Sequence, residues 1–326
     1  MPASELQGLS AVVTGGSRGL GLLLARELGR AGCDVTIAAR DGKELAAAAG
    51  LLAASHGVQV RTLVCDVRDR DAVHELMAQT AARAGGVDVV LANAGVIQVG
   101  PVGDGAVGVG EFRNAMETMF FGALHTSLEA LPYLRRSPAG GRLALTGSIG
   151  GLMAVPHLLP YSCAKSAIGS LAEGLREEMA HRGVSVTAVH PGLMRTGSHL
   201  QAMFTGDTGR EYAWFASLAG LPVLSMNAER AAARIVGAVE RRRPRLVLTP
   251  AARLAARAHG VAPVLVTRAN SVLARLLPAV DGTAPGGVPV RGADVTMPGS
   301  AARSRLVGLC SRLNERAADR FNQRPA

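Results

Sequence analysis

A chain of 326 residues that is 48% hydrophobic and only 18% charged can bury a sizeable core, which excludes a chain disordered throughout. Of its 35 lysines and arginines only two are lysines, Lys43 and Lys165, so arginine content by itself is no sign of nucleic-acid binding; residues 1–240 carry 20 basic and 21 acidic groups, whereas residues 241–326 carry 15 against four. Cys33, Cys65, Cys163 and Cys310 show neither metal-ligand spacing nor a disulfide framework, so no metal site is expected and a reducing cytoplasm is.

The period of the apolar pattern then switches repeatedly along the chain. A strand is expected over 9–14, a glycine turn, and a helix over 20–31, followed by a strand over 35–38 and a helix over 44–55. Next come a strand over 59–64, a helix over 71–84, a strand over 87–92 and a long helix over 111–134. Strands over 142–146, 184–189 and 245–248, with a helix over 164–181, complete the series. Such alternation gives a parallel sheet covered on both faces, so the fold expected is α/β, a Rossmann-like doubly wound sheet of seven strands.

Beyond this series the composition changes. Residues 278–300 are rich in proline and glycine and read as a loop, between apolar, arginine-bearing helices over 250–259, 263–277 and 301–321. The expected organisation is a core over 1–250 and a basic helical extension over 251–326. That extension either lies in solvent, packs as a lid over the substrate side, or lays an amphipathic face on an anionic membrane. Nucleic acid is not expected as a partner, because no zinc, RNA-binding or basic-zipper pattern accompanies the charge. No signal peptide or spanning helix is expected either, since the first ten residues lack a basic head and a long apolar run.

Five sequence features carry chemistry. Thr14-Gly15-Gly16-Ser17-Arg18-Gly19-Leu20-Gly21 ends a strand and opens a helix, where free amides and the positive helix end attract a dinucleotide's diphosphate. After the second strand comes Arg40 instead of the acidic residue that would read a ribose 2′-hydroxyl. Together with Arg18 it fits a 2′-phosphate, which favours NADP over NAD. Asp66, with Val67 after the third strand, either accepts from adenine or caps the following helix. Tyr161 and Lys165 stand four residues apart on one helix face, where an ammonium ion favours phenolate and assists proton transfer. Ser148, thirteen residues before the tyrosine, is placed to stabilise charge on the reacting oxygen.

These residues, taken together, resemble the classical short-chain dehydrogenase/reductase family over residues 1–250. Thr14, Gly15, Gly19 and Gly21 match its glycine loop; Ser148, Tyr161 and Lys165 match its catalytic residues in order and spacing. The resemblance implies that Asn93, in Asn93-Ala94-Gly95, supports the central sheet, and that Pro191, Gly192 and Thr196 run along the nicotinamide. It also implies a homo-oligomer, built through helices 111–134 and 160–181. Met119 departs from the family, which carries a proton-relay asparagine three residues before the glycine matched by Gly122; Asn114 is out of helical phase to replace it.

Substrate recognition is expected in residues 151–160 and 193–223. There Met194, Met203, Phe204, Tyr212, Trp214 and Phe215 either line an apolar pocket or pack as core. The function expected is an NADP-dependent oxidoreductase interconverting a hydroxyl and a carbonyl on an apolar small molecule. The alternative is a nucleotide-binding regulatory or scaffold protein, silenced by the methionine.

Overall fold

Runs of valine, alanine and leucine with few interposed charges make strands that can be covered on both sides, and seven of them form the main sheet. They are Ser10–Thr14 (β1), Asp34–Ala39 (β2), Val60–Val64 (β3), Val89–Ala92 (β4), Gly141–Thr146 (β5), Val184–His190 (β6) and Arg245–Val247 (β7). All pair in parallel, in the order β3-β2-β1-β4-β5-β6-β7. Every residue of β1 and β4 is buried, as the middle of such a sheet requires. The computed structural model describes residues 4–102, 106–222, 224–278, 288–296 and 301–324. Most of the loop expected over 278–300 lies outside them.

Helices Gly19–Arg30 (α1), Gly42–His56 (α2) and Ala228–Glu240 (α7) cover one face of the sheet. Arg70–Ala84 (α3), the continuous run of Val109–Ala115, Met116–Phe121 and Gly122–Leu134 (α4), and Leu159–Met179 (α5) cover the other. Further helices are Thr208–Gly220 (α6), Pro250–Val261 (α8), Pro263–Ala274 (α9) and Ala301–Arg320 (α10), besides the single turn Ile149–Leu152 and two short 3-10 turns. Among the described residues none is long and apolar enough to cross a membrane.

Local chemistry explains the helix ends. Asp41 and Asp69 accept the first free N–H groups of α2 and α3, and Gly57 and Gly85 end both helices in the left-handed region, which glycine enters without strain. α5 starts at Leu159, earlier than the apolar period over 164–181 suggests. Pro160 sits in its first turn, where a missing N–H costs nothing, so a residue that reads as a loop marker in the sequence opens the helix. α4 contains a π-helical turn at Met116–Phe121, a local insertion of the kind often found at functional sites.

Because β1 is followed on one side by β2 and β3 and on the other by β4 to β7, the strand order reverses between β1 and β4. The crevice at the carboxyl ends of these strands is where such sheets bind ligands. A small three-stranded sheet of Gln98–Val99, Met203–Phe204 and Val290–Arg291 brings residues 290–291 to the rim of that crevice.

Candidate active site

Strand ends and helix starts build one cavity of about 1110 Å³ along the crevice. On its nucleotide-binding side, β1 ends in the glycine loop, whose Gly15 and Gly19 have φ of +65° and +55°. Cβ atoms are excluded here by packing: one added at Gly15 would lie 2.8 Å from Ala94 Cα, and one at Gly21 would lie 1.9 Å from Gly15 O. Thr14 and Asn93 tie β1 to β4. The Asn93 N–H donates to Thr14 Oγ1 (3.1 Å), and Asn93 Nδ2 donates to the carbonyls of Thr14 and Gly15 (3.3 and 3.4 Å).

Every residue expected to act in catalysis or to bind the cofactor lines this one cavity: Gly15, Ser17, Arg18, Gly19, Leu20, Gly21, Arg40, Asp66, Val67, Asn93, Ser148, Tyr161, Lys165, Pro191, Gly192 and Thr196. A glycine loop opening a helix, with arginines at one end of the cavity and a tyrosine–lysine pair at the other, fits a nicotinamide dinucleotide.

The charged groups differ in detail from the simplest expectation. Arg18 Nη1 lies 2.6 Å from Glu44 Oε1, and Ser17 Oγ donates to the other carboxylate oxygen at 3.1 Å. Burial lowers the pKa of Arg18; Glu44 opposes this, and the nearby positive charges of Arg291 and Arg40 add to the lowering. Asp66 does not cap α3, since Asp69 does. Instead the Asp66 carboxylate accepts from the backbone N–H and side chain of Arg68; burial pushes it up, but these bonds win and hold it below the usual carboxylate range.

At the reacting end, β5 delivers Ser148 and α5 delivers Tyr161 and Lys165. The Ser148 hydroxyl accepts the Gly150 N–H at 3.0 Å. Lys165 Nζ donates to Thr146 O at 2.6 Å and stands 5.7 Å from the Tyr161 ring centre. Burial raises the pKa of the phenol above its ordinary value, while the Ser148 hydroxyl, close enough to hydrogen-bond it, pulls the other way. Burial also brings the ammonium of Lys165 down to about 8. The expected lowering of the tyrosine by the lysine is thus reversed, because taking both groups out of water penalises each charged form.

Met119 is 1% exposed; its Sδ and Lys165 Nζ lie 3.6 and 3.8 Å from where a Cβ on Gly95 would stand. Its neighbour Thr118 was not singled out in the sequence, yet its buried hydroxyl lines the cavity without a hydrogen-bond partner. No sequence signal marks it, since the π turn that places it has none. Of the six side chains offered for an apolar pocket, only Met194 lines the cavity. Phe204, Tyr212, Trp214 and Phe215 pack edge-to-face on one another in an aromatic cluster against which Tyr161 and Ile97 lie, so the core reading holds for them.

The model of the short chain dehydrogenase family matches residues 10–203. An uncharacterized oxidoreductase of Staphylococcus saprophyticus is 31% identical over 192 residues, 59% of this chain and 81% of its own length. A versicolorin reductase of Emericella nidulans is 32% identical over 209 residues, 64% of this chain and 75% of its own. Among solved structures, a short chain dehydrogenase from Burkholderia cenocepacia in complex with NADP superposes with a TM-score of 0.63 at 25% identity, covering 76% of this chain and 99% of that one. This chain belongs to the short-chain dehydrogenase/reductase family of oxidoreductases, which use NAD(P).

Proposed function

We propose that this chain is an NADP(H)-dependent oxidoreductase that interconverts a hydroxyl and a carbonyl group on an apolar small molecule, with Tyr161 as the acid and base. The observation that carries this reading is that Ser148, Tyr161 and Lys165 share one cavity with the glycine loop. When bound, the nicotinamide supplies or accepts the hydride. The phenol, held protonated by burial, gives its proton to the oxygen of a carbonyl as that oxygen gains charge, and takes it back in the reverse direction. Ser148 donates a hydrogen bond to the same oxygen. Lys165, still mostly cationic at neutral pH, offsets the negative charge left on the phenol. Val96, Ile97, Met194 and Ala202 line the cavity beside these groups and support an apolar substrate.

Preference for the phosphorylated dinucleotide rests on Arg40. Two carboxylates stand near the end of β2, but both are engaged: Asp41 caps α2, and Glu44 pairs with Arg18. With Asp41 Oδ1 holding the first amides of α2 and Glu44 holding Arg18, Arg40 supplies the charge for a 2′-phosphate. Calorimetric titration tests this. NADPH should bind more tightly than NADH, and Arg40→Asp should narrow the difference about tenfold or more; equal affinities in the unaltered chain contradict it.

Met119 favours the second reading, a dinucleotide-binding protein with weak turnover, because no amide stands at that position. The unpartnered Thr118 hydroxyl, one residue away, supports turnover instead by keeping a polar group in the same part of the cavity.

The pair α8 and α9 supports peripheral contact with an anionic bilayer. Leu254, Val261, Val264, Leu265 and Val272 are all more than half exposed on it, as is Leu276 just beyond. Residues 250–278 carry Arg253, Arg257, Arg268 and Arg275 and no acidic group, the charge that anionic headgroups attract.

A further inference from the structure

The end of the chain, more than a hundred residues past the region matched by the family model, returns to the glycine loop. α10 docks first. Asn314, wholly buried, accepts the Gly197 N–H at 2.8 Å and lies 2.9 Å from His199 Nδ1, while Glu315 meets the other nitrogen of that ring at 2.8 Å. A Cβ on Gly197 would stand 2.4 Å from Ala318 Cα, so the contact is close-packed.

The three residues after α10 then cross the cleft. Phe321 O accepts the Gly19 N–H at 2.8 Å, and Asn322 Nδ2 donates to Ser17 O and Glu44 O at 2.9 and 3.2 Å. From the opposite side, Gln201 Nε2 donates to Gln323 O at 2.6 Å, and Gln201 Oε1 accepts from Arg291 at 2.5 Å. Residues 321–323 therefore bridge the glycine loop and the 197–204 segment, with Gln201 joining them to Arg291.

Two features of this bridge point to a ligand. The side chain of Gln323 is 96% out of solvent, lines the cavity, and has an Oε1 without a hydrogen-bond partner; buried polar atoms are rarely left so. Its Nε2 would stand 2.4 Å from a Cβ on Gly19, at the start of α1, whose first-turn amides have no intrahelical acceptor. The bridge also leaves the cavity open beneath it, at about 1110 Å³. It roofs the cleft and does not fill it.

Resting on the dinucleotide reading above, we propose that residues 321–323 form a strap over the phosphate-bearing stretch of the bound cofactor, in which Gln323 and Arg291 are cofactor-binding residues supplied by the C-terminal extension. A diphosphate flanked by riboses offers the acceptors and donors that a carboxamide needs: the Nε2 hydrogens bond a phosphate oxygen and the carbonyl accepts from a ribose hydroxyl. The Arg291 guanidinium adds positive charge close enough to Arg18 to lower its pKa. Entry and exit of the cofactor then require the strap to lift, which makes release slow.

The experiment is stopped-flow displacement of NADPH and of NADH from the full chain, from Gln323→Ala, Gln323→Glu and Arg291→Ala, and from a chain ending at Arg320. The truncated chain should release cofactor about tenfold faster or more, Gln323→Ala and Arg291→Ala should weaken binding about tenfold, and Gln323→Glu should weaken it further by placing a carboxylate against phosphate. Should the truncated chain prove misfolded by circular dichroism, the three single substitutions decide. Because the diphosphate is common to both dinucleotides, the effect is read with whichever binds, and a failed preference for NADPH leaves it intact. Unchanged release and affinity in all variants, or tighter binding after truncation, overturns the strap; a full chain that binds neither dinucleotide overturns the strap and the cofactor reading together.

Discussion

The floor of the cleft and its roof are made by different means. Strand ends fix the floor: the glycine loop leaves β1, Ser148 leaves β5, and Pro191 follows β6, each held by the register of a buried parallel sheet. Separate polar anchors on helices and short strands fix the roof, namely Asn314 on Gly197, Glu315 on His199 and Gln201 on Gln323. The helices of the extension show how much those anchors decide. α9 is the more apolar of the two, with Arg268 its one charged group, yet no residue of it is buried, whereas α10, with five arginines and two acids, buries Ser311, Asn314, Ala317 and Ala318. Apolar composition therefore does not decide which helix docks; a buried asparagine with two partners does.

If the floor carries chemistry and the roof carries retention, disturbing each should give effects of different size and kind. The largest is expected at Lys165. Lys165→Met should abolish measurable turnover, since it removes the charge beside Tyr161, while raising stability by about 1–3 kcal/mol, because a buried ammonium without an anionic partner is replaced by an apolar chain of similar length. The gain should depend on pH in a definite direction. Below about pH 8 the folded and unfolded wild-type chains both hold the proton and the burial penalty is complete; between about 8 and 10.5 the folded chain sheds it first, so wild-type stability rises and the gap closes. Wild-type kcat/KM for carbonyl reduction should fall over the same rise through pH 8. Urea titrations of both chains at pH 7 and 10 check the first statement, and a variant less stable than wild type at pH 7 would refute it.

Next in size is the strap, whose loss should change cofactor release about tenfold and leave the residues of hydride and proton transfer in place. The smallest effect on catalysis is expected on the exposed pair α8 and α9. Leu265→Glu with Val272→Glu should leave kcat unchanged and remove salt-sensitive sedimentation with phosphatidylserine vesicles, where the unaltered chain should sediment. An unaltered chain that stays in the supernatant at low salt would end the membrane reading.

What the sequence showed clearly and what it hid follow the same division. All seven strands and the helices covering the sheet, apart from α7, can be read from apolar period and turn residues, because a doubly covered sheet leaves little freedom in which side chains it buries. Ser148, Tyr161, Lys165 and the glycine loop stand at spacings set by that sheet and are legible for the same reason. Thr118 was hidden because a π turn carries no sequence signal of its own. The capping role left open for Asp66 falls to Asp69, three residues on, because only the backbone shows where the helix begins. Gln323 and Arg291 were out of reach: they meet the cavity through contacts such as Gln201 with Gln323, 122 residues apart, and no period links such positions. Phe204, Tyr212, Trp214 and Phe215 suited pocket and core alike until their ring contacts were seen.

The most direct test of the account is single-turnover oxidation of NADPH at controlled pH, against a ketone found by screening apolar carbonyl compounds, in the unaltered chain and in Tyr161→Phe. The variant should bind NADPH as the unaltered chain does and transfer hydride about 10²–10⁴-fold more slowly, because the proton donor alone is gone. A folded Tyr161→Phe chain that reduces the same ketone at the unaltered rate would contradict it.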